Sequence, residues 1–78
     1  MYITAEFVKV WNALVDWGFE PSMIDNGVID VMVCNTSEEL DFAAAVTNFH
    51  VHLTDTIPEE SERLYKVNGF TVRVYTAY

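Results

Sequence analysis

Residues 63–75 run Arg63-Leu64-Tyr65-Lys66-Val67-Asn68-Gly69-Phe70-Thr71-Val72-Arg73-Val74-Tyr75. Asn-Gly between two alternating runs is the strongest short-range hairpin signal, because a two-residue turn of type I′ needs positive φ at both central positions. Across that turn Val67 pairs with Phe70, Tyr65 with Val72 and Arg63 with Val74. One face then collects Tyr65, Val67, Phe70, Val72 and Val74, and the other collects Leu64, Lys66, Thr71, Arg73 and Tyr75. A half-buried antiparallel sheet is the expected home for this pattern.

The same dipeptide recurs at Asn26-Gly27. A two-residue loop there pairs Asp25 with Val28, Ile24 with Ile29 and Ser22 with Val31, placing Ile24, Ile29, Val31 and Val33 on one face. The opposite face carries Met23, Val28, Asp30, Met32 and Cys34, which is too apolar for an ordinary solvent face. Such a sheet is either covered on both sides or part of an interface, so Met23, Val28 and Met32 are candidates for self-association.

Helices are expected before and between the hairpins. Phe7, Val10, Trp11, Leu14 and Val15 recur at helical spacing, Thr4 can cap the start, Glu6 suits the positive end of the dipole, and Gly18 can stop the helix, predicting a helix over residues 5–17. Trp17 is placed to close the core at its end. Thr36 with Glu39 reads as a capping box, with Asn35 and Ser37 as competing caps, and a second helix begins near residue 37. Its stripe of Phe42, Ala45, Val46, Phe49 and Leu53 carries the prediction to about residue 53. Residues 49–54, Phe-His-Val-His-Leu-Thr, also alternate like a strand. Residues 54–62 are a polar connection in which Thr56, Pro58 and Glu59 can start a short helical turn. The expected fold class is α+β in the order α-ββ-α-ββ: a four-stranded antiparallel sheet with two helices packed on one face, forming a single compact domain over residues 1–78.

The chain has 78 residues, twelve acidic and four basic, with 51% hydrophobic residues. Surface scaling for this size gives roughly 4,800 Å² folded against about 12,900 Å² unfolded, enough for one small core and too little for separate substrate and cofactor lobes. A lone Cys34 rules out an internal disulfide and points to a reducing compartment, and its place at the end of an apolar run predicts a buried, inert thiol. Glu6, Lys9 and Asn12 interrupt any leader-like apolar run, and no segment is long enough to span a membrane, so a cytoplasmic protein is expected.

Catalytic chemistry finds few materials. His50 and His52 could offer two metal ligands on a strand, but a site needs three or four convergent ligands and the pair supplies two. Ser22, Ser37 and Ser61 lack a nucleophile elbow or oxyanion loop, and three glycines leave no phosphate cradle. The expectation is a non-enzymatic chain with no cofactor and no metal site. RNA binding by the second hairpin is disfavoured, because Tyr65 and Phe70 face the core while Tyr75 and Arg73 face out, leaving one exposed aromatic.

Charge is the more specific signal. Residues 10–62 hold eleven acids and no base, while residues 63–78 hold three bases and no acid. The expected patches are Glu38, Glu39 and Asp41 at the start of the second helix, and Asp55, Glu59, Glu60 and Glu62 beyond its end, about 25 Å away along a seventeen-residue helix. Spaced carboxylates can occupy arginine-rich sites that otherwise hold phosphates. In size and charge the chain resembles the small acidic inhibitors that phages and mobile elements encode against host nucleases, anti-CRISPR proteins among them; the resemblance lies in bulk properties and carries over no individual residue. It implies a protein-binding module that docks on the basic surface of a nucleic-acid-binding partner, without itself contacting nucleic acid or membrane. The alternative is a self-associating subunit, a homodimer using the first hairpin.

Overall fold

The structure is a computed structural model describing residues 4–25 and 27–77. Its elements are α1 (Ala5–Asp16), β1 (Ser22–Ile24), β2 (Val28–Val33), α2 (Thr36–Ala45), β3 (Val51–Ile57), a 3-10 turn (Pro58–Glu60), β4 (Glu62–Val67) and β5 (Phe70–Thr76). The class is α+β, but the sheet has five strands in the order β1-β2-β5-β4-β3, with β2 and β5 parallel at its centre. This corrects the expectation of four antiparallel strands.

The extra strand is β3, in the segment where helical and strand patterns compete. The Phe42–Phe49 stripe does pack on the core, but the helix stops at Ala45 and only a turn links Val46 to Phe49. Val51, Thr54, Thr56 and Ile57 are β-branched and favour the pleated surface beside β4. The three-strand meander β3-β4-β5 brings its last strand back parallel to β2. Leu53, expected in the helical stripe, is exposed on the edge strand.

The second hairpin holds the expected register, with Val67 opposite Phe70, Tyr65 opposite Val72 and Arg63 opposite Val74. The first is shifted by one residue, with Ile24 opposite Val28 and Met23 opposite Ile29, so the loop is three residues long. Asp25 at φ 47° and Gly27 at φ 103° turn the chain; Asn26 lies outside the described residues. A one-residue slip moves every side chain of a strand to the other face. Met23 therefore shares the face of Ile29, while Ile24 joins Val28, Asp30 and Met32 on the opposite one.

Both helices cover one side of the sheet. Phe7, Val10 and Leu14 of α1, with Phe42, Ala45 and Val46 near α2, bury against Ile29, Val31, Val33, Val67, Val72 and Val74. The Phe7 N–H donates to Thr4 Oγ1 at 3.2 Å, the cap expected, a contact worth about 1 kcal/mol. Asn35 rather than Thr36 caps α2, its Oδ1 accepting from the Glu38 N–H at 2.9 Å. Glu38 reaches back to accept from the Cys34 N–H at 2.7 Å. Three further expectations fail on burial. Trp17 is exposed and Phe19 closes the core in its place, Val15 faces out, and Cys34 is an exposed free thiol because β2 has ended before it. No helix among the described residues is long and apolar enough to cross a membrane.

Candidate docking surface

Strand direction brings the acidic segments together. Val33 lies beside Thr76 in the parallel pair, the Ala77 N–H donates to the Val33 carbonyl at 2.8 Å, and the Thr76 N–H donates to the Ser61 carbonyl at 2.9 Å. One end of the sheet therefore holds the close of β2, β5 and β3, the start of α2 and the whole 3-10 turn. Glu38 and Glu39 stand in the first turn of α2, where backbone N–H groups favour negative charge. Glu59 and Glu60 lie exposed in the 3-10 turn, Asp55 is exposed on β3, and Glu39 and Glu62 border one shallow cavity with Pro58 and Ser61. Glu20, following α1, shares another cavity with Glu38 and Cys34. The expected 25 Å separation does not exist: α2 has ten residues, and β3 carries the chain back to the helix start.

The basic C-terminal segment is largely consumed inside this arrangement. Arg63 Nη2 meets Glu39 Oε1 at 2.6 Å, and Arg73 Nε meets Asp30 Oδ1 at 2.8 Å with Glu62 Oε1 at 3.4 Å from its Nη1. The hydrogen bond to Asp30 raises the Arg73 pKa above its ordinary value against the opposing effect of desolvation, and the charges of Asp30, Glu62 and Asp25 add to it. Lys66 Nζ donates to Thr71 Oγ1 at 2.7 Å. Glu39 and Glu62 are thus partly neutralised, whereas Asp41, Asp55, Glu59 and Glu60 form no ion pair among the described residues.

One residue at this end escaped the sequence reading. Leu40, between Glu39 and Asp41, is 71% exposed, the most exposed large hydrophobic side chain described. One turn away on either side are Thr36, Ser37, Ala43 and Ala44, all short, so Leu40 projects alone. Its absence from the Phe42–Ala45–Val46 core stripe was the available signal. A wider apolar cleft of about 360 Å³ lies between α2 and β3–β4, lined by Phe42, Val46, Phe49, Val51 and Tyr65 beside the Glu39–Arg63 pair.

The self-association candidates do not form one patch. Val28 and Met32 lie on the open face of the sheet, where Met32 neighbours Tyr75, and Met23 lies on the helix side against Phe7, Val8 and Trp11. His52 is opposite Lys66 on β4, and the His50 N–H donates to Asn68 Oδ1 at 2.9 Å. Among the described residues no group of three His, Cys, Asp or Glu side chains is placed to hold a metal ion. No protein-family model, no curated protein and no solved structure matches the chain.

Proposed function

We propose that the protein is a non-enzymatic binding module that docks the acidic end of its sheet on the basic, nucleic-acid-binding surface of a partner protein in the cytoplasm. The observation that carries this reading is that the start of α2 and the 3-10 turn meet at one end of the sheet, where Glu39 shares a cavity with Pro58, Ser61 and Glu62, while Leu40, the next residue of α2, stands exposed. Affinity at interfaces concentrates in a few desolvated apolar anchors, while surrounding charge steers encounter and sets register. Leu40 supplies the anchor, and Glu38, Asp41, Asp55, Glu59 and Glu60 supply the field. Carboxylates presented this way compete with phosphates for arginine forks, so occupation blocks nucleic acid, as an inhibitor of phage or mobile-element type would.

The test begins with affinity capture from the native host and purification of the captured protein. That protein is expected to bind nucleic acid, to lose it in the presence of this chain, and to bind this chain less tightly as salt rises. Leu40→Asp should weaken binding by about a hundredfold or more, the loss of a central anchor, and Glu59→Lys with Glu60→Lys by about tenfold through the association rate. Nucleic acid and this chain binding the partner together, or unchanged affinity in Leu40→Asp, would overturn the reading.

A further inference from the structure

The acidic end leaves one surface of the molecule unexplained. At 100° per residue, Val8, Trp11 and Val15 fall within about 60° of one another on α1, in a stripe about 100° away from the buried Phe7, Val10 and Leu14. Val8 is 42% and Val15 46% exposed, Trp11 is half-buried, and Met23 of β1, 41% exposed, continues the patch across a shallow cavity shared with Phe7, Val8 and Trp11. Among the described residues no element covers it.

We propose that this stripe is a homodimer interface in which α1 packs antiparallel against α1 of a second copy. Charge complementarity selects that occupant. Lys9 and Asp16 lie about 20° apart on the same flank of the stripe and seven residues apart along it. A two-fold axis near Asn12 and Ala13 sets Lys9 of each copy level with Asp16 of the other, making two equivalent ion pairs on one side of an apolar seam. Two-fold interfaces are self-complementary in this way. The present Lys9 partner, Glu6 at 3.2 Å, is a solvent-exposed contact of little energetic weight and yields readily. Repulsion points to the same surface: the described part of α1 carries two acids and one base, whereas the acidic end would bring like charges together. The inference stands apart from the docking function, since it uses a different surface and no residue of the acidic end.

Sedimentation equilibrium of the full chain from micromolar to millimolar concentration tests it. The mass should rise towards twice that of the monomer. In a Trp17→Phe background, Trp11 emission should shift to the blue over the same range. Val8→Asp with Val15→Asp, both at exposed positions, should hold the chain monomeric, with circular dichroism and a cooperative denaturant transition showing that it still folds. Lys9→Asp alone should raise the dimer dissociation constant by about tenfold or more, since like charges then face each other, and adding Asp16→Lys should restore it to within about threefold. A monomer at every concentration, a dimer unaffected by the paired Asp substitutions, or a charge swap that fails to restore association would each overturn the proposal.

Discussion

The hairpins β1–β2 and β4–β5 share an Asn-Gly dipeptide and differ in almost everything that follows from position. β4–β5 lies inside the sheet, with β3 on one side and β2 on the other, so its backbone groups are paired on both edges and Val67, Val72 and Val74 have no exposed surface. β1 is a three-residue edge strand with a single neighbour, and its Met23 is half open to solvent. Only β2 of the outer hairpin reaches the core. The difference shows that a turn signal proposes a hairpin, while the neighbours available on each side determine how firmly its register is held.

The largest effect should come from the inner hairpin. Val72→Ala removes two buried methyl groups from the central strand and leaves a cavity beneath the helices, and should cost about 2–3 kcal/mol by denaturant unfolding. Met23→Ala, at the outer hairpin, should cost less than about 1 kcal/mol, because its side chain is already partly hydrated. Comparable losses would mean that the edge hairpin contributes to the core as fully as the centre.

Next in size is the turn of the inner hairpin. Asn68 sits at φ 50°, accepts the His50 N–H on Oδ1 and donates its own N–H to the His50 carbonyl at 2.8 Å, tying the start of β3 to the β4–β5 turn. Asn68→Ala keeps the backbone bond, loses the side-chain bond and places a less tolerant residue at positive φ. A loss of about 1–2 kcal/mol is expected, with amide exchange at His50 and Val51 accelerating first.

Position also explains what could be read from the residues alone. In β4–β5 one face is apolar and the other carries Lys66, Thr71 and Arg73, so a slip would bury charge and the alternation specifies the register. In β1–β2 both faces are apolar, Met23 and Ile24 are interchangeable to a pattern, and the hydrophobic signal is silent about a shift of one. β3 was hidden because Phe42, Ala45, Val46 and Phe49 keep helical spacing while packing on the core through a helix end and a turn. The acidic block was legible as a block, but its gathering at one end depends on β3, so that fact was lost with the strand. Leu40 falls outside the core stripe of α2, and that absence is the one sign of its exposure that the residues carry.

A smaller substitution discriminates between the two possible registers of the outer hairpin. In the three-residue loop Asp25 has positive φ, which Asp tolerates and a β-branched residue resists. Asp25→Val should therefore destabilise the protein by about 1 kcal/mol. Under a two-residue turn Asp25 would be extended and paired with Val28, and the same substitution would be neutral or stabilising, since valine favours strands. The sign of the change thus decides the register without a second structure.

The smallest expected effect lies on the open face, where the two hairpins meet. Arg73 of β5 spans Asp30 of β2 and Glu62 of β4, joining the outer hairpin to the inner one across the parallel pair. Its side chain is 32% exposed, so water and salt weaken the attraction, and Arg73→Met should cost no more than about 1 kcal/mol, part of it removed by added salt. The Arg73 pKa is raised in the folded state, so its contribution is fully present below the unfolded value and fades only as pH climbs through the still higher folded value. The stability difference between wild type and Arg73→Met should accordingly stay flat from neutral pH to about pH 10, well below the ordinary arginine range. A difference that fell away within that window would assign the coupling between the hairpins to a group other than the guanidinium. A cost well above 1 kcal/mol that ignored salt would instead place Arg73 among the packed residues of the sheet, through the contacts of its alkyl stem with neighbouring side chains.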